Sequence, residues 1–346
     1  MGGSFMYPFL RDHLSASHFH DIWLRFLIPN ESVAENESLK TRAIYTTLRS
    51  PIGIASGVDL DAVAYSKLLN LGFGFIEIGP VSPASEYFEQ QYYSIAEDQF
   101  KVIGPITSFG AIWVKKNLVR NASGPRGVNL TPTKENIDLV PHYTDEDYIY
   151  SISKLYHLVD YFSINLCSNK FKRIGYYKKP NRYQGVIKKV IQQRNLEIGL
   201  FVANETGIIK ETEGYFRRVY TPMYVKINSD WEDVQGLVEC CIENGVDGLI
   251  VGDDSEDINK SREILKKVSK SSAGKLEIIS FGGIESGSEV LERIKMGAKL
   301  VQLYSILLRK GPKEYFRIHE ELLKSLSDEG FNSISEAFNH YNKENS

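Results

Sequence analysis

The stretch YFSINLCSNKF, residues 161–171, joins an apolar run to a polar segment. Asn165 and Ser168 fall at this junction, so that an amide and a hydroxyl would lie at the rim of a buried strand. Seven other apolar runs are followed by polar residues or glycines in the same way: Ser56, Ser82, Asn129, Lys226, Asp253 with Asp254, Gly282 with Gly283, and Tyr304 with Ser305. This set contains neither a His/Asp/Glu cluster typical of a metal site nor a Ser-His-Asp triad. The set is polar and mixed in charge, and Ser168 supplies a hydroxyl where the mouth of an active site would lie.

The last two of these runs end in FGGIESG and VQLYS, residues 281–287 and 301–305. Glycine-rich turns that lead into helices bind phosphate at the corresponding place in eight-stranded barrels. One Gly-Gly pair is also explained by a tight turn, and both interpretations stay open for Gly282 and Gly283. Their position after the seventh run favours a phosphate site.

The elements that would position these residues alternate between strand and helix. Eight short apolar runs are predicted to be strands: 51–57, 73–79, 126–130, 161–165, 223–228, 247–252, 276–283 and 299–304. Apolar residues recur with helical periodicity at 258–268, at 286–296 and from about Pro312 to Leu326. A capping-box pattern from Ser229 to Glu232 predicts the start of another helix, which Gly245 would end. Eight β-α units with strands covered on both faces predict an α/β fold, a (β/α)8 TIM barrel, over an open doubly wound sheet.

The first segment, residues 1–30, is predicted to be a short N-terminal helical hairpin in front of a barrel domain at 31–346. Apolar residues recur at helical spacing in two sets, Met6 to Leu14 and Phe19 to Leu27. Two amphipathic helices of this kind either pack on their own domain or contact a membrane surface or a protein partner.

Composition excludes several classes of protein. The 346 residues are 42% hydrophobic and 25% charged with a net charge of −3, which is ordinary for a globular protein and does not predict a nucleic-acid partner. Cys167, Cys240 and Cys241 contain no CxxC pair, so neither a disulfide framework nor a zinc site is expected. The sequence has no apolar run of the length that spans a bilayer and no secretory signal at its start.

Taken in order, the motifs resemble those of one family. SPIGIASGVDLDA, LGFGFIEIGPVSP, GVNL, INLCSN, VKI, DGLIV, FGGIESG and KLVQLYS occur in the order and spacing of dihydroorotate dehydrogenases. The N-terminal YPFLRDHLSASHFHDIWLRF resembles the helical hairpin of the quinone-dependent, membrane-associated (mitochondrial) class. The resemblance runs from about residue 7 to residue 335.

The resemblance implies FMN at the carboxyl ends of the strands and oxidation of dihydroorotate, in pyrimidine biosynthesis, with ubiquinone as acceptor. It places Ser168 at the position of the serine base and His20 near the quinone path. The residues that match the flavin site are Ala55, Gly57, Ser82, Asn129, Asn165 and Lys226 on the ring side, and Gly282, Gly283, Tyr304 and Ser305 on the phosphate side.

Several positions depart from the family pattern. Leu60 stands where the family has a lysine beside flavin and substrate, and VIGPITS (102–108) replaces a substrate loop rich in asparagine. In the lid, Lys170 or Asn169 falls on the family asparagine, depending on a one-residue gap. Asp253 and Asp254 replace neutral polar residues, and the glycine-rich loop that should follow them is missing. The arginine expected at the quinone tunnel is replaced within QQYYSI (90–95).

These losses lead to three hypotheses. The first is a non-catalytic descendant that acts as an accessory subunit, with protein partners, in an assembly at the mitochondrial inner membrane, where residues 6–27 would make peripheral contact. The second is an FMN-dependent oxidoreductase for another substrate, and the third is a divergent dihydroorotate dehydrogenase. Flavin absorbance separates the first from the other two, and turnover with dihydroorotate and a quinone separates the third from the second.

Overall fold

A computed structural model of the chain describes residues 24, 28–86, 92–96, 99–103, 108–120, 124–140, 143–167, 176–204 and 219–342. Its strands, in chain order, are β1 Thr41–Ala43, β2 Thr46–Leu48, β3 Ile52–Ile54, β4 Phe75–Val81, β5 Tyr92–Ala96, β6 Gln99–Ile103, β7 Arg126–Leu130, β8 Tyr161–Asn165, β9 Met223–Asn228, β10 Gly248–Gly252, β11 Glu277–Phe281 and β12 Leu300–Leu303. β3, β4 and β7 to β12 coincide with the eight predicted strands, which are therefore confirmed.

These eight strands form a closed parallel barrel in the order β3-β4-β7-β8-β9-β10-β11-β12, and β12 pairs with β3 through Val301 and Ile52. The predicted TIM barrel is thus confirmed, and the open doubly wound alternative is wrong. The helices are α1 Tyr65–Asn70, α2 Ala111–Arg120, α3 Lys134–Leu139, α4 Thr144–Leu155, α5 Pro180–Asn204, α6 Val234–Asn244, α7 Ile258–Ser272, α8 Gly287–Lys295, α9 Ser305–Lys310, α10 Glu314–Asp328 and α11 Ile334–Asn342. The three stretches of helical periodicity correspond to α7, α8 and α10.

Aromatic side chains fill the amino-terminal end of the barrel. Phe75 and Tyr161 pack edge to face with ring centroids 6.2 Å apart, and Tyr224 lies 5.4 Å from Tyr161. Gly127 leaves room for the Tyr161 ring, because a Cβ on Gly127 would lie 2.1 Å from that ring. The β1–β2 hairpin closes this end through Ile44, whose backbone N–H donates to Glu277 at 3.1 Å. Ligand access is therefore left to the carboxyl ends of the strands.

The predicted start of α6 is wrong. Asp233, not Ser229, caps the helix, because the Asp233 carboxylate accepts from the backbone N–H of Gly236. The Ser229 hydroxyl donates instead to the Asp253 carboxylate across the end of the neighbouring strand. Gly245 ends α6 as predicted, in the left-handed conformation.

The predicted hairpin, residues 1–30, lies largely outside the described residues, and so do His20 and most of the stripe at 6–27. At its edge, Leu24 and Ile28 are buried in the main hydrophobic cluster of the barrel domain. Within the described ranges, no helix combines the length and the apolar character that crossing a membrane requires.

Candidate active site

A buried ion pair crosses the interior of the barrel. The Lys226 ammonium on β9 donates to the Glu77 carboxylate on β4 at 2.9 Å, and the two side chains are 6% and 0% exposed. Burial alone would raise the pKa of Glu77, but the positive charge and hydrogen bond of Lys226 outweigh it and leave the pKa below its ordinary value. Lys226 also donates to Ser56 at 3.1 Å and lies 4.8 Å from the centroid of the Phe281 ring. The cation that sequence analysis assigned to the flavin is thus neutralised by a carboxylate.

Glu77 was not among the residues predicted for the site. Its second carboxylate oxygen accepts from Gln302 at 3.1 Å and from the Tyr161 hydroxyl at 3.3 Å, so that these two side chains and Lys226 all donate to the carboxylate. A signal was present in the sequence, because Glu77 interrupts the otherwise apolar run FGFIEIG. Charged residues are almost never fully buried unless they are paired, so this position predicts a buried partner without saying which one.

The two predicted asparagines bond to each other. The Asn165 amide donates to the Asn129 carbonyl oxygen at 2.9 Å, and the Asn129 amide donates to the Ser163 hydroxyl at 2.7 Å. The Asn165 side-chain oxygen accepts from the backbone N–H of Cys167 at 3.1 Å. This chain of bonds fixes the ends of β7 and β8, whose alternate side chains point into the barrel.

Other predicted residues have roles in the turns after the strands. The Ser82 hydroxyl donates to the Ala84 carbonyl at 2.9 Å, and the Ser82 carbonyl accepts from Ala111 at the start of α2. Ala55 is buried beside β12, where its backbone N–H donates to Leu303.

Gly57 has a φ of +109°, and a Cβ there would lie 2.7 Å from the Tyr304 ring. Two predicted residues from opposite ends of the chain are therefore in contact across the junction of β3 and β12.

The predicted phosphate residues also come together, at the ends of β11 and β12. Gly282 and Gly283 both adopt the left-handed conformation, with φ of +84° and +71°. Arg293, fully buried on α8, donates to the Gly282 carbonyl at 2.9 Å and to the Ser280 hydroxyl at 2.8 Å. Arg293 therefore shapes this turn, although sequence analysis did not identify it. Its one sequence signal is an acidic partner four residues earlier, Glu289.

A carboxylate lies in the phosphate cradle, the turn that contains Gly282, Gly283 and Ser305. The Ser305 hydroxyl and the Ser305 backbone N–H both donate to Glu256, which sits in the connection from β10 to α7. That connection has five residues, 253–257, which agrees with the predicted loss of the glycine-rich loop. It packs directly on the glycine turn, since a Cβ on Gly282 would lie 2.5 Å from the Asp253 carbonyl oxygen.

The two acidic residues after β10 do not act together. Asp253 is buried, and burial would raise its pKa, but hydrogen bonds from Ser229 and Ser255 prevail and hold that pKa below its ordinary value. Asp254 is exposed, and its backbone N–H donates to Asn228. Asp253 therefore keeps its negative charge, but its oxygens are engaged by neighbouring hydroxyls.

Ser168, the predicted base, lies outside the described residues, as do the lid positions Asn169 and Lys170. The same holds for residues 104–107 of the VIGPITS segment. The described residues therefore form the floor of the barrel mouth and its phosphate side.

Comparison with known proteins identifies the family. The family model described as Dihydroorotate dehydrogenase matches residues 38–259 and 256–326, which is most of the chain. The chain belongs to the dihydroorotate dehydrogenase family.

Its relatives include a dihydroorotate dehydrogenase (quinone) of Azorhizobium caulinodans, 27% identical over 96% of this chain and 98% of that protein. The mitochondrial dihydroorotate dehydrogenase (quinone) of Mus musculus is 26% identical over 96% of this chain and 88% of its own. The crystal structure of DHODH from Eimeria tenella in complex with ferulenol superposes with a TM-score of 0.80 at 20% identity, covering 93% of this chain and 94% of that one. At that identity the superposition supports the fold alone.

The family implies FMN, and the described residues fit its two halves differently. On the ring side, Lys226 uses two of its three ammonium protons, and each asparagine amide uses one of its two, within the described part of the chain. These groups can still donate to a flavin ring. On the phosphate side, the donors of Ser305 are already bonded to Glu256, and a phosphate there would meet a carboxylate. The residues present therefore fit the ring but not the phosphate.

Proposed function

We propose that this member of the dihydroorotate dehydrogenase family does not oxidise dihydroorotate and acts as a non-catalytic accessory subunit of a membrane-associated mitochondrial assembly. The observation that carries the proposal is Leu60, which replaces the family lysine in a barrel mouth where Lys226 is already paired with Glu77. The pair has no net charge, so it offers little attraction to an anionic substrate.

Electrostatics makes this loss large. Dihydroorotate is a carboxylate, and a hydrogen bond to a charged group contributes about 1.5–3 kcal/mol. Micromolar binding corresponds to about 8 kcal/mol in total. Leu60 replaces the family's cation, and the substrate-loop asparagines are also lost. Together these changes remove a large part of that energy. Asp253, which stays ionised at the end of β10, adds a repulsive charge at the same rim.

The location in mitochondria is supported by the Mus musculus relative, whose name includes that organelle. Contact with the inner membrane would be made through residues 6–27, which have the apolar periodicity of an interfacial hairpin. Leu24 and Ile28, which are buried against the barrel, would hold that segment on the domain. Partner proteins would bind the barrel, which keeps its core although the substrate positions have changed.

A specific observation favours a second candidate. The ring-side donors Lys226, Asn129 and Asn165 keep protons for a flavin, which supports an FMN-dependent oxidoreductase with another substrate or a divergent dihydroorotate:quinone oxidoreductase. Either would need a phosphate site, and Glu256 makes this candidate the weaker one.

The test combines a spectrum and an assay. The purified full chain is expected to show no flavin absorbance, and no turnover of dihydroorotate with a ubiquinone analogue when FMN is in excess. The Azorhizobium relative, purified in the same way, is the positive control. Turnover by this chain under conditions where the control is active would overturn the proposal.

The accessory role has its own test, on native gels of mitochondrial extracts. We expect the chain to migrate in an assembly many times its own mass. Migration at the mass of one or two chains would contradict the role in an assembly while leaving the absence of catalysis in place.

A further inference from the structure

Glu256 is held in a conformation that aims its carboxylate at Ser305. Its backbone φ is +62°, in the left-handed region that non-glycine residues seldom occupy. The Glu256 backbone N–H donates to the Asp253 carbonyl at 2.9 Å, and its own carbonyl oxygen would lie 2.9 Å from a Cβ on Gly283. Asp257 then caps α7 through Asn259 and Lys260. The backbone of the connection is thus fixed at both ends.

The carboxylate interacts with the cradle as a phosphate oxygen would. It accepts from the Ser305 hydroxyl and the Ser305 backbone N–H, and Ser305 is only 4% exposed. Arg309, one turn further along α9, attracts it, and Glu285, which is paired with Arg309, repels it. A buried hydroxyl and amide that lacked an acceptor would be costly. Glu256 therefore satisfies donors that a bound anion would otherwise satisfy.

We infer that Glu256 is a built-in substitute for a ligand phosphate, and that it excludes phosphate monoesters such as FMN from the turn formed by Gly282, Gly283 and Ser305. Replacement of Glu256 by a shorter, uncharged residue should open an anion site at this turn. The inference rests on the proposed function in one respect, the location of the phosphate cradle. It does not require that the chain fails to turn over dihydroorotate.

The test compares FMN with riboflavin, which has the same ring system and no phosphate. Glu256→Asn removes the charge, shortens the side chain and suits the left-handed backbone, because asparagine tolerates that region. Glu256→Gln removes the charge at almost constant volume. We expect Glu256→Asn to bind FMN at least tenfold more tightly than the unmodified chain, Glu256→Gln to gain less, and riboflavin affinity to change by less than twofold in both.

Glu285→Gln is the matched control, since it removes a neighbouring carboxylate that is paired with Arg309. It should leave FMN affinity within twofold. Equal FMN affinity of the unmodified chain and Glu256→Asn, equal gains for FMN and riboflavin, or an equal gain in Glu285→Gln would each overturn the inference.

Inorganic phosphate gives a second measurement, independent of the ring side. Phosphate at constant ionic strength should raise the melting temperature of Glu256→Asn and leave those of the unmodified chain and Glu285→Gln unchanged. If no variant binds FMN, the phosphate measurement decides: failure of phosphate to stabilise Glu256→Asn selectively would overturn the inference. If Glu256→Asn does not fold, Glu256→Gln replaces it in this measurement. The outcomes are distinct from those for the proposed function, because turnover by the unmodified chain through weakly bound FMN would overturn that function and leave the Glu256 comparison intact.

Discussion

Substitution of Lys226 by methionine would test the ion pair on which the barrel mouth is built. Methionine keeps most of the length and volume of the lysine side chain and removes its charge. Glu77, which is 0% exposed, would then lack its cation and keep neutral donors such as Gln302 at 3.1 Å and Tyr161 at 3.3 Å. The stability of the fold should fall, because a carboxylate in the barrel interior cannot recover its hydration.

The magnitude follows from the geometry. At 2.9 Å and an effective dielectric constant of 20, the attraction between the two charges is about 6 kcal/mol. Desolvation of both groups offsets part of it, and the remaining hydrogen bonds to Glu77 soften the loss. Removal of one partner of a buried pair costs about 3–5 kcal/mol. With a urea slope of about 3 kcal/mol per M, the midpoint should fall by roughly 1 M or more.

The pH dependence of the loss in stability has a predictable direction. In the unmodified chain the pKa of Glu77 is lowered, so its stabilising contribution is present above about pH 4.3 and is lost as the pH falls through its folded value. Without Lys226, burial raises that pKa, and protonation of Glu77 relieves the cost. The difference in unfolding free energy between the two proteins should therefore shrink as the pH is lowered from 8 to 5.

Two further variants complete the design. Lys267→Met breaks an exposed ion pair with Glu263 of similar length, 2.7 Å, and should leave the urea midpoint unchanged. The double variant Glu77→Gln, Lys226→Met should recover more than half of the loss. A loss below about 1 kcal/mol for Lys226→Met, or a double variant as unstable as the sum of the single ones, would refute the ion-pair argument.

Three other changes probe separate parts of the structure. Asp233→Ala should cost about 1–2 kcal/mol by urea unfolding, because it removes the cap of α6; no loss would mean that the helix begins elsewhere. Gly57→Ala should cost about 1–3 kcal/mol, since its Cβ would strain the backbone and press on Tyr304; an unchanged midpoint would contradict this contact. Burial raises the pKa of Glu256, so protonation of this side chain should stabilise the folded state. Relative to Glu256→Gln, the unmodified chain should therefore gain unfolding free energy as the pH falls from 8 toward about 4.5. A difference that is constant or of opposite sign would refute the raised pKa.

The strands and their order could be predicted because each signal is local. An apolar run such as DGLIVG is long enough for one strand of a barrel, and a helical pattern follows it within a few residues. Polar residues at the carboxyl ends of such strands must meet at one face of the barrel. Asn129, Asn165 and Lys226 were identified on that basis and on the resemblance, and the fold brings all three to the barrel mouth.

The cap of α6 shows where local patterns fail. The prediction used the capping-box pattern at Ser229, although an aspartate such as Asp233 is equally suited to cap a helix. In the fold, Asp233 caps the helix, and the Ser229 hydroxyl donates to Asp253 at the end of the neighbouring strand. The bond between Ser229 and Asp253 joins two different β-α units, so neither segment encodes it.

The sequence by itself determined the barrel, the polar rim and the loss of the family lysine at Leu60. Tertiary structure alone decided which polar groups bond to one another: Lys226 with Glu77, 149 residues apart, and Ser305 with Glu256, 49 residues apart. The reason is physical. Burial of apolar runs fixes each strand independently, whereas a buried charge or donor takes whatever partner the closed barrel brings within about 3 Å.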